Sequence, residues 1–154
     1  MTTTESPLNL VRGPAKRPGW AQLVRLGGDR VAILFDELRK LVGRIDGIVE
    51  RLYYSAPEGR WLVQYQAGGV ELFTVRISPG LLEAGMLLSP SEIESILRLR
   101  KLCGSIRNEI RAAVAHPELC PIRFALKDRR TVRSFANLAQ VKDKLVRDSG
   151  RGNQ

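Results

Sequence analysis

Gly68 and Gly69 stand between two runs in which apolar and polar side chains alternate, and that stretch limits the fold more than any other. From Arg60 to Gln66, Trp61, Val63 and Tyr65 fall on one side, with Arg60, Gln64 and Gln66 on the other. Phe73, Val75 and Ile77 mark the same period of two after the glycines. Alternation of this kind is a strand with one buried face, and a glycine pair between two such runs is a hairpin. A three-residue connection sets Trp61 and Val63 beside Val75 and Phe73, whereas a two-residue one puts Trp61 opposite Arg76. Because a slip of one residue turns the whole apolar set to the wrong face, the longer turn is expected. Ile48 to Tyr54 reads as a preceding strand, closed by the turn Ala56-Pro57-Glu58-Gly59. Ser78-Pro79-Gly80 leads to a fourth, about Leu82 to Leu88.

An apolar sheet face must be covered, and the flanking segments carry stripes suited to that. Trp20, Leu23 and Val24 make a turn or two of helix before Gly27-Gly28 breaks it. Asp29 is the expected cap of a helix over 29–46, where Val31, Leu34, Phe35, Leu38, Leu41, Val42 and Ile45 recur at helical spacing. Gly47 suits the left-handed stop. Ser89-Pro90-Ser91-Glu92 has the form of a capping box with proline in the first helical position, opening a helix over 89–102. A further helix over 105–116 buries Ile106, Ile110 and Val114. Ile122, Phe124 and Leu126 alternate in a late strand, 121–127. A closing helix, 129–146, buries Val132, Phe135, Leu138, Ala139 and Leu145. The predicted class is α+β, with an antiparallel sheet of four to five strands (meander 48–88 plus strand 121–127) packed against helices 29–46, 89–102, 105–116 and 129–146. A disordered tail over 1–19, one domain over 20–147 and a frayed tail over 148–154 complete the expectation.

Charge is the other informative property. The 154 residues carry a formal net charge of +9, and the first 97 sum to zero, with 11 basic and 11 acidic side chains. Residues 98–154 hold 14 basic and 5 acidic ones, so the whole excess lies there. Such asymmetry points to an anionic partner. Cys103 and Cys120 are too few and too far apart for a disulfide framework or a zinc site, which favours a reduced, cytoplasmic compartment. No run approaches a membrane span, so no membrane partner is expected.

The inventory for catalysis is thin. His116 precedes Pro117, with Glu118 and Cys120 as its only near partners in sequence, and reads as a helix-end residue interacting with the last carbonyls. The cysteines read as small buried side chains. No phosphate loop, HExxH, GxSxG or dinucleotide fingerprint occurs. Glu92 and Glu94 are expected on an exposed helix face, near the positive end of the dipole. No cofactor or metal is expected.

The basic residues are more suggestive. Arg129, Arg130 and Arg133 crowd the start of the last helix, where cations oppose the macrodipole. They form a candidate phosphate or carboxylate site with Asp128 as its cap when empty. Arg107 and Arg111 share a helix face, and Arg98, Arg100 and Lys101 run up to the same bend, with Lys142 and Lys144 on the closing helix. The anion or nucleic-acid candidates are therefore Arg98, Lys101, Arg107, Arg111, Arg129, Arg130 and Arg133. Without a helix-turn-helix or RNA-binding signature, the nucleic-acid mode expected is contact with the backbone of a duplex.

Three segments carry a resemblance: GRWLVQYQAGGVELFTVRI (Gly59 to Ile77), SPSEIESIL (Ser89 to Leu97) and IRFALKDRRTVRSFANLAQVKDKL (Ile122 to Leu145). In this order they resemble the small bacterial α+β domains grouped as MmcQ/YjbR-like, and a neighbouring domain family of unknown function. The resemblance covers roughly residues 20–146. It implies a binding module, with DNA among the partners and no catalytic residues to carry over. The expected function is thus a non-enzymatic module for nucleic acid or another polyanion. The alternative is a protein-interaction or small-ligand domain with incidental charge, using the polar face of Arg51, Gln64 and Gln66 or a pocket between sheet and helices.

Overall fold

The computed structural model describes residues 17–114 and 121–151. The chain runs α1 (Trp20–Leu26), α2 (Asp29–Val42), β1 (Ile48–Ser55), β2 (Arg60–Ala67), β3 (Val70–Ser78), β4 (Leu81–Met86), α3 (Pro90–Leu97), α4 (Gly104–Val114), β5 (Ile122–Ala125) and α5 (Arg129–Arg151). The five strands form one antiparallel sheet in sequence order. This is the α+β class that the alternating and helical periods predict.

The core lies between one face of the sheet and the helices. Val63, Tyr65, Phe73, Val75, Ile77, Leu82, Ala84, Met86 and Phe124 line the sheet side, while Leu34, Phe35, Leu38, Val132, Phe135 and Leu138 meet them from α2 and α5. Tyr65 stacks on Phe73 with ring centroids 4.6 Å apart, and Phe73 meets Phe135 edge-on at 5.0 Å. Each such side chain contributes roughly 1.5–3 kcal/mol by leaving water. Tyr65 is buried yet polar at its tip, and its hydroxyl donates to Glu50 Oε2 at 2.6 Å. Burial, then that bond, holds the phenol protonated. Arg39 pairs with the same carboxylate at 2.8 Å and stacks over Trp20. Glycine is required at position 27, because a Cβ there would come within 2.4 Å of Val31 Cγ1.

The hairpin register differs from expectation. Ala67 pairs with Val70, so only Gly68 and Gly69 form the loop, with φ of 60° and 77° as a tight primed turn requires. A bulge then shifts the register between Tyr65 and Gln66, leaving Leu72 as the extra residue on β3. Beyond it Tyr65 faces Phe73 and Val63 faces Val75. The bulge thus does what the longer turn was expected to do: it keeps apolar side chains opposite one another.

Several ends also differ. Gly28 occupies the N-cap position of α2 with φ 89°, and Asp29 is the first helical residue. That helix ends at Val42, before Gly43, and not at 46. Leu97 ends α3 five residues earlier than expected, because Arg107 donates to the carbonyls of Leu97 and Leu99 and holds residues 98–103 as a turn. In contrast, α5 continues to Arg151, steadied by the Asp143–Arg147 pair and by Arg147 donating to the Asp46 carbonyl at 2.6 Å. The capping box at Ser89 is present in full, with Ser89 Oγ accepting from Glu92 N–H and Glu92 Oε1 from Ser89 N–H. Glu92 itself is not on an open face. It is half-buried and grips Lys142, which is only 8% exposed. The N-terminal tail as far as residue 16, and His116, Glu118 and Cys120, lie outside the described residues.

Candidate polyanion-binding surface

The last helix lies on the sheet because of its apolar stripe, and the same period places its remaining side chains on a single outer strip. At 3.6 residues per turn, Arg129, Arg130, Arg133, Asn137, Gln140, Lys144 and Arg147 fall within about 100° of one another. All seven are exposed. The strip is about 27 Å long at the rise of an α-helix, and none of its side chains from 129 to 147 is acidic. Asp143 lies at its margin and pairs with Arg147 at 3.1 Å.

Asp128 completes the start of the helix. Its Oδ1 accepts from Thr131 N–H at 2.8 Å, and the Thr131 hydroxyl also donates to it. Those bonds, together with Arg130 and Arg30 nearby, hold the Asp128 carboxyl below its usual range. Arg30 reaches across from α2 to donate to the Lys127 carbonyl at 2.7 Å. Four cations, Arg30, Lys127, Arg129 and Arg130, therefore gather around this helix end. The N–H of Thr131 is already answered by Asp128, and the cations stand around the helix end beside it.

The seven sequence candidates meet different fates. Arg129 and Arg130 are exposed, with no hydrogen bond or ion pair among the described residues. Arg133 is on the same strip but leans toward Glu37 of α2 at 3.7 Å. Arg107 is committed to the Leu97 and Leu99 carbonyls and does not face outward. Arg98 pairs with Glu94 one turn back at 2.9 Å. Arg111 is exposed on α4, with no hydrogen bond or ion pair among the described residues. Lys101, with Arg100, comes to α5 across a groove that Lys144 also borders. Lys142, expected to add to the basic surface, is instead buried against Glu92. Asn137 and Gln140 were missed, although their offsets of four and seven from Arg133 place them on its face.

Two other features bear on chemistry. Cys103 is buried at the start of α4, with its N–H donating to Ser134 Oγ at 2.9 Å. Burial pushes its thiol up, but the Ser105 hydroxyl and backbone donors outweigh that and leave it below the usual thiol range. On the sheet face away from the core, a cavity of about 370 Å3 holds Arg76, Arg123, Glu58 and Glu83. Both guanidiniums converge on Glu58, Arg123 at 3.0 Å, and Arg76 also lies 3.8 Å from Glu83. Burial, then Arg123, holds Arg76 below the ordinary arginine value. Along the same face Gln64 accepts from Arg51 at 2.5 Å and donates to Glu71 at 2.8 Å. These polar groups answer one another except at Arg76 Nε, which is buried without a hydrogen-bond partner. Among the described residues no three His, Cys, Asp or Glu side chains converge as a metal site. Nor is any described helix long and apolar enough to cross a membrane.

Fold and surface together define a class: a small α+β domain whose closing helix turns a cationic and amide strip to solvent. Comparison of the chain with protein-family models, curated proteins and solved structures returned no match to any of them.

Proposed function

We propose that this chain is a non-enzymatic binding module that holds a polyanion, in the first place a nucleic-acid duplex, along the outer strip of α5. The observation that carries this reading is the strip itself, where five cations and two amides run together. Arg129, Arg130 and Lys144 have no ion pair among the described residues, while Arg133 and Arg147 meet Glu37 and Asp143 at its margins. Cations near phosphates release counterions, which supplies affinity without any pocket. Arginine, asparagine and glutamine are also the side chains that hydrogen-bond phosphates and base edges. The resemblance to MmcQ/YjbR-like domains agrees with a binding role. A small ligand or protein on the polar sheet face is less favoured, because Arg76, Arg123, Arg51 and Gln64 already have partners there.

The test is fluorescence anisotropy with a labelled duplex of about 20 base pairs, titrated between about 50 and 200 mM salt. Some five phosphate contacts give a slope of log K on log salt of about −4 to −5. Arg129→Gln, Arg130→Gln and Lys144→Gln together should reduce its magnitude by nearly 3 (about 0.9 per contact). Absence of binding at the lowest salt, or an unchanged slope in the triple variant, would defeat the reading.

A further inference from the structure

The groove between the α3–α4 turn and α5 shares Asn137, Gln140 and Lys144 with the strip but adds an apolar floor that the strip lacks. Its volume is about 550 Å3, its floor is Leu99, Leu102 and Val141, and its rim is Arg100, Lys101 and Lys144. No acidic side chain lines it. All three rim cations are exposed, and none has a hydrogen bond or ion pair among the described residues. We infer that this groove docks an acidic amphipathic segment of a protein partner, with aliphatic side chains on the floor and carboxylates on the rim.

Charge complementarity selects the occupant. An anion is needed to answer three cations, and an apolar side chain to cover three aliphatic ones. Nucleic acid meets only the first need, because the floor offers no aromatic ring on which a base would stack. The first sixteen residues of the chain offer Leu8, Leu10 and Val11 but not the anion, since they hold Glu5 against Arg12 and Lys16.

The groove is also built in advance. Arg107 ties the turn to itself through the Leu97 and Leu99 carbonyls, and Cys103 N–H ties it to α5 through Ser134 Oγ. A wall pinned at both ends loses little freedom when a ligand arrives, which favours binding.

The probe is a labelled helical peptide of about 14 residues, with leucines one turn apart and glutamates elsewhere, added to the full chain. Micromolar binding is expected, weakened about tenfold or more in Lys101→Glu/Lys144→Glu and by a peptide with serine in place of leucine. Arg129→Gln/Arg130→Gln should leave it unchanged, because those residues lie outside the groove. Circular dichroism checks that each variant is folded, and Val141→Arg, which fills the floor without reversing the rim, should also abolish binding. Equal affinity for the serine peptide, or for the charge-reversed protein, would overturn the inference. So would self-association lost in Val141→Arg, which would make a second copy the occupant. Peptide binding without duplex binding would remove the function proposed above and leave this one standing.

Discussion

Lys142 Nζ lies 2.7 Å from Glu92 Oε2, joining the first turn of α3 to the middle of α5 across fifty residues. Glu92 also accepts from Ser89 N–H, so one carboxylate closes a helix cap and holds a buried ammonium. Such a pair gains little over apolar packing but costs much when halved.

Lys142→Met should therefore destabilise the fold by about 3 kcal/mol, because it strands a half-buried carboxylate. Adding Glu92→Gln should recover part of that loss, since glutamine keeps the cap without the charge. Urea unfolding of both single variants and the double variant measures the coupling. Simple additivity would mean that the two groups do not interact.

Acid should weaken the same contact. Burial raises the Glu92 carboxyl, but Lys142 and the Ser89 donors outweigh it and leave the group below its ordinary value. A depressed folded value contributes stability above the unfolded one, about 4.3, and loses it as pH falls through the folded one. The stability gap between the parent and Glu92→Gln should narrow below that pH. A gap constant down to the acid limit of folding would contradict the assignment.

Gly69 has φ 77° in a two-residue turn, where an L side chain is strained. Gly69→Ala should cost about 1 kcal/mol, with the surface strip and duplex affinity unaffected. Were the turn the longer one, with position 69 relaxed, thermal unfolding would show almost no change.

Arg107→Gln separates architecture from binding. Losing the bonds to two carbonyls should cost about 2 kcal/mol in chemical denaturation. The salt slope for duplex binding should stay as in the parent, whereas Arg130→Gln should lower its magnitude by about 0.9 at little cost in stability. A reversed pattern would make Arg107 a phosphate contact.

Local chemistry was legible in the chain wherever one residue type decides the outcome over a few positions. Period-two alternation marks β2 and β3, the Ser89 box opens α3, and the stripe of Val132, Phe135, Leu138 and Ala139 orients α5. The polar side of that stripe was equally present in sequence, and Asn137 and Gln140 follow from the same period as Arg133. Contacts between distant segments decided the rest. Lys142 and Lys144 are two residues apart and identical in type, yet one is sealed against Glu92 and the other borders a groove. Arg107 resembled any surface arginine until the turn at 98–103 brought two carbonyls to it. The bulge at Leu72 likewise belongs to packing, since turn and core each demand a register and one extra residue reconciles them. Period and capping act within a few residues along the chain, so sequence alone determined the order of the elements and the main apolar stripe of each, although Val114, expected inside, is 60% exposed. Which charges are answered, and which still face water, depends on neighbours remote in sequence, and only the tertiary structure assigned those.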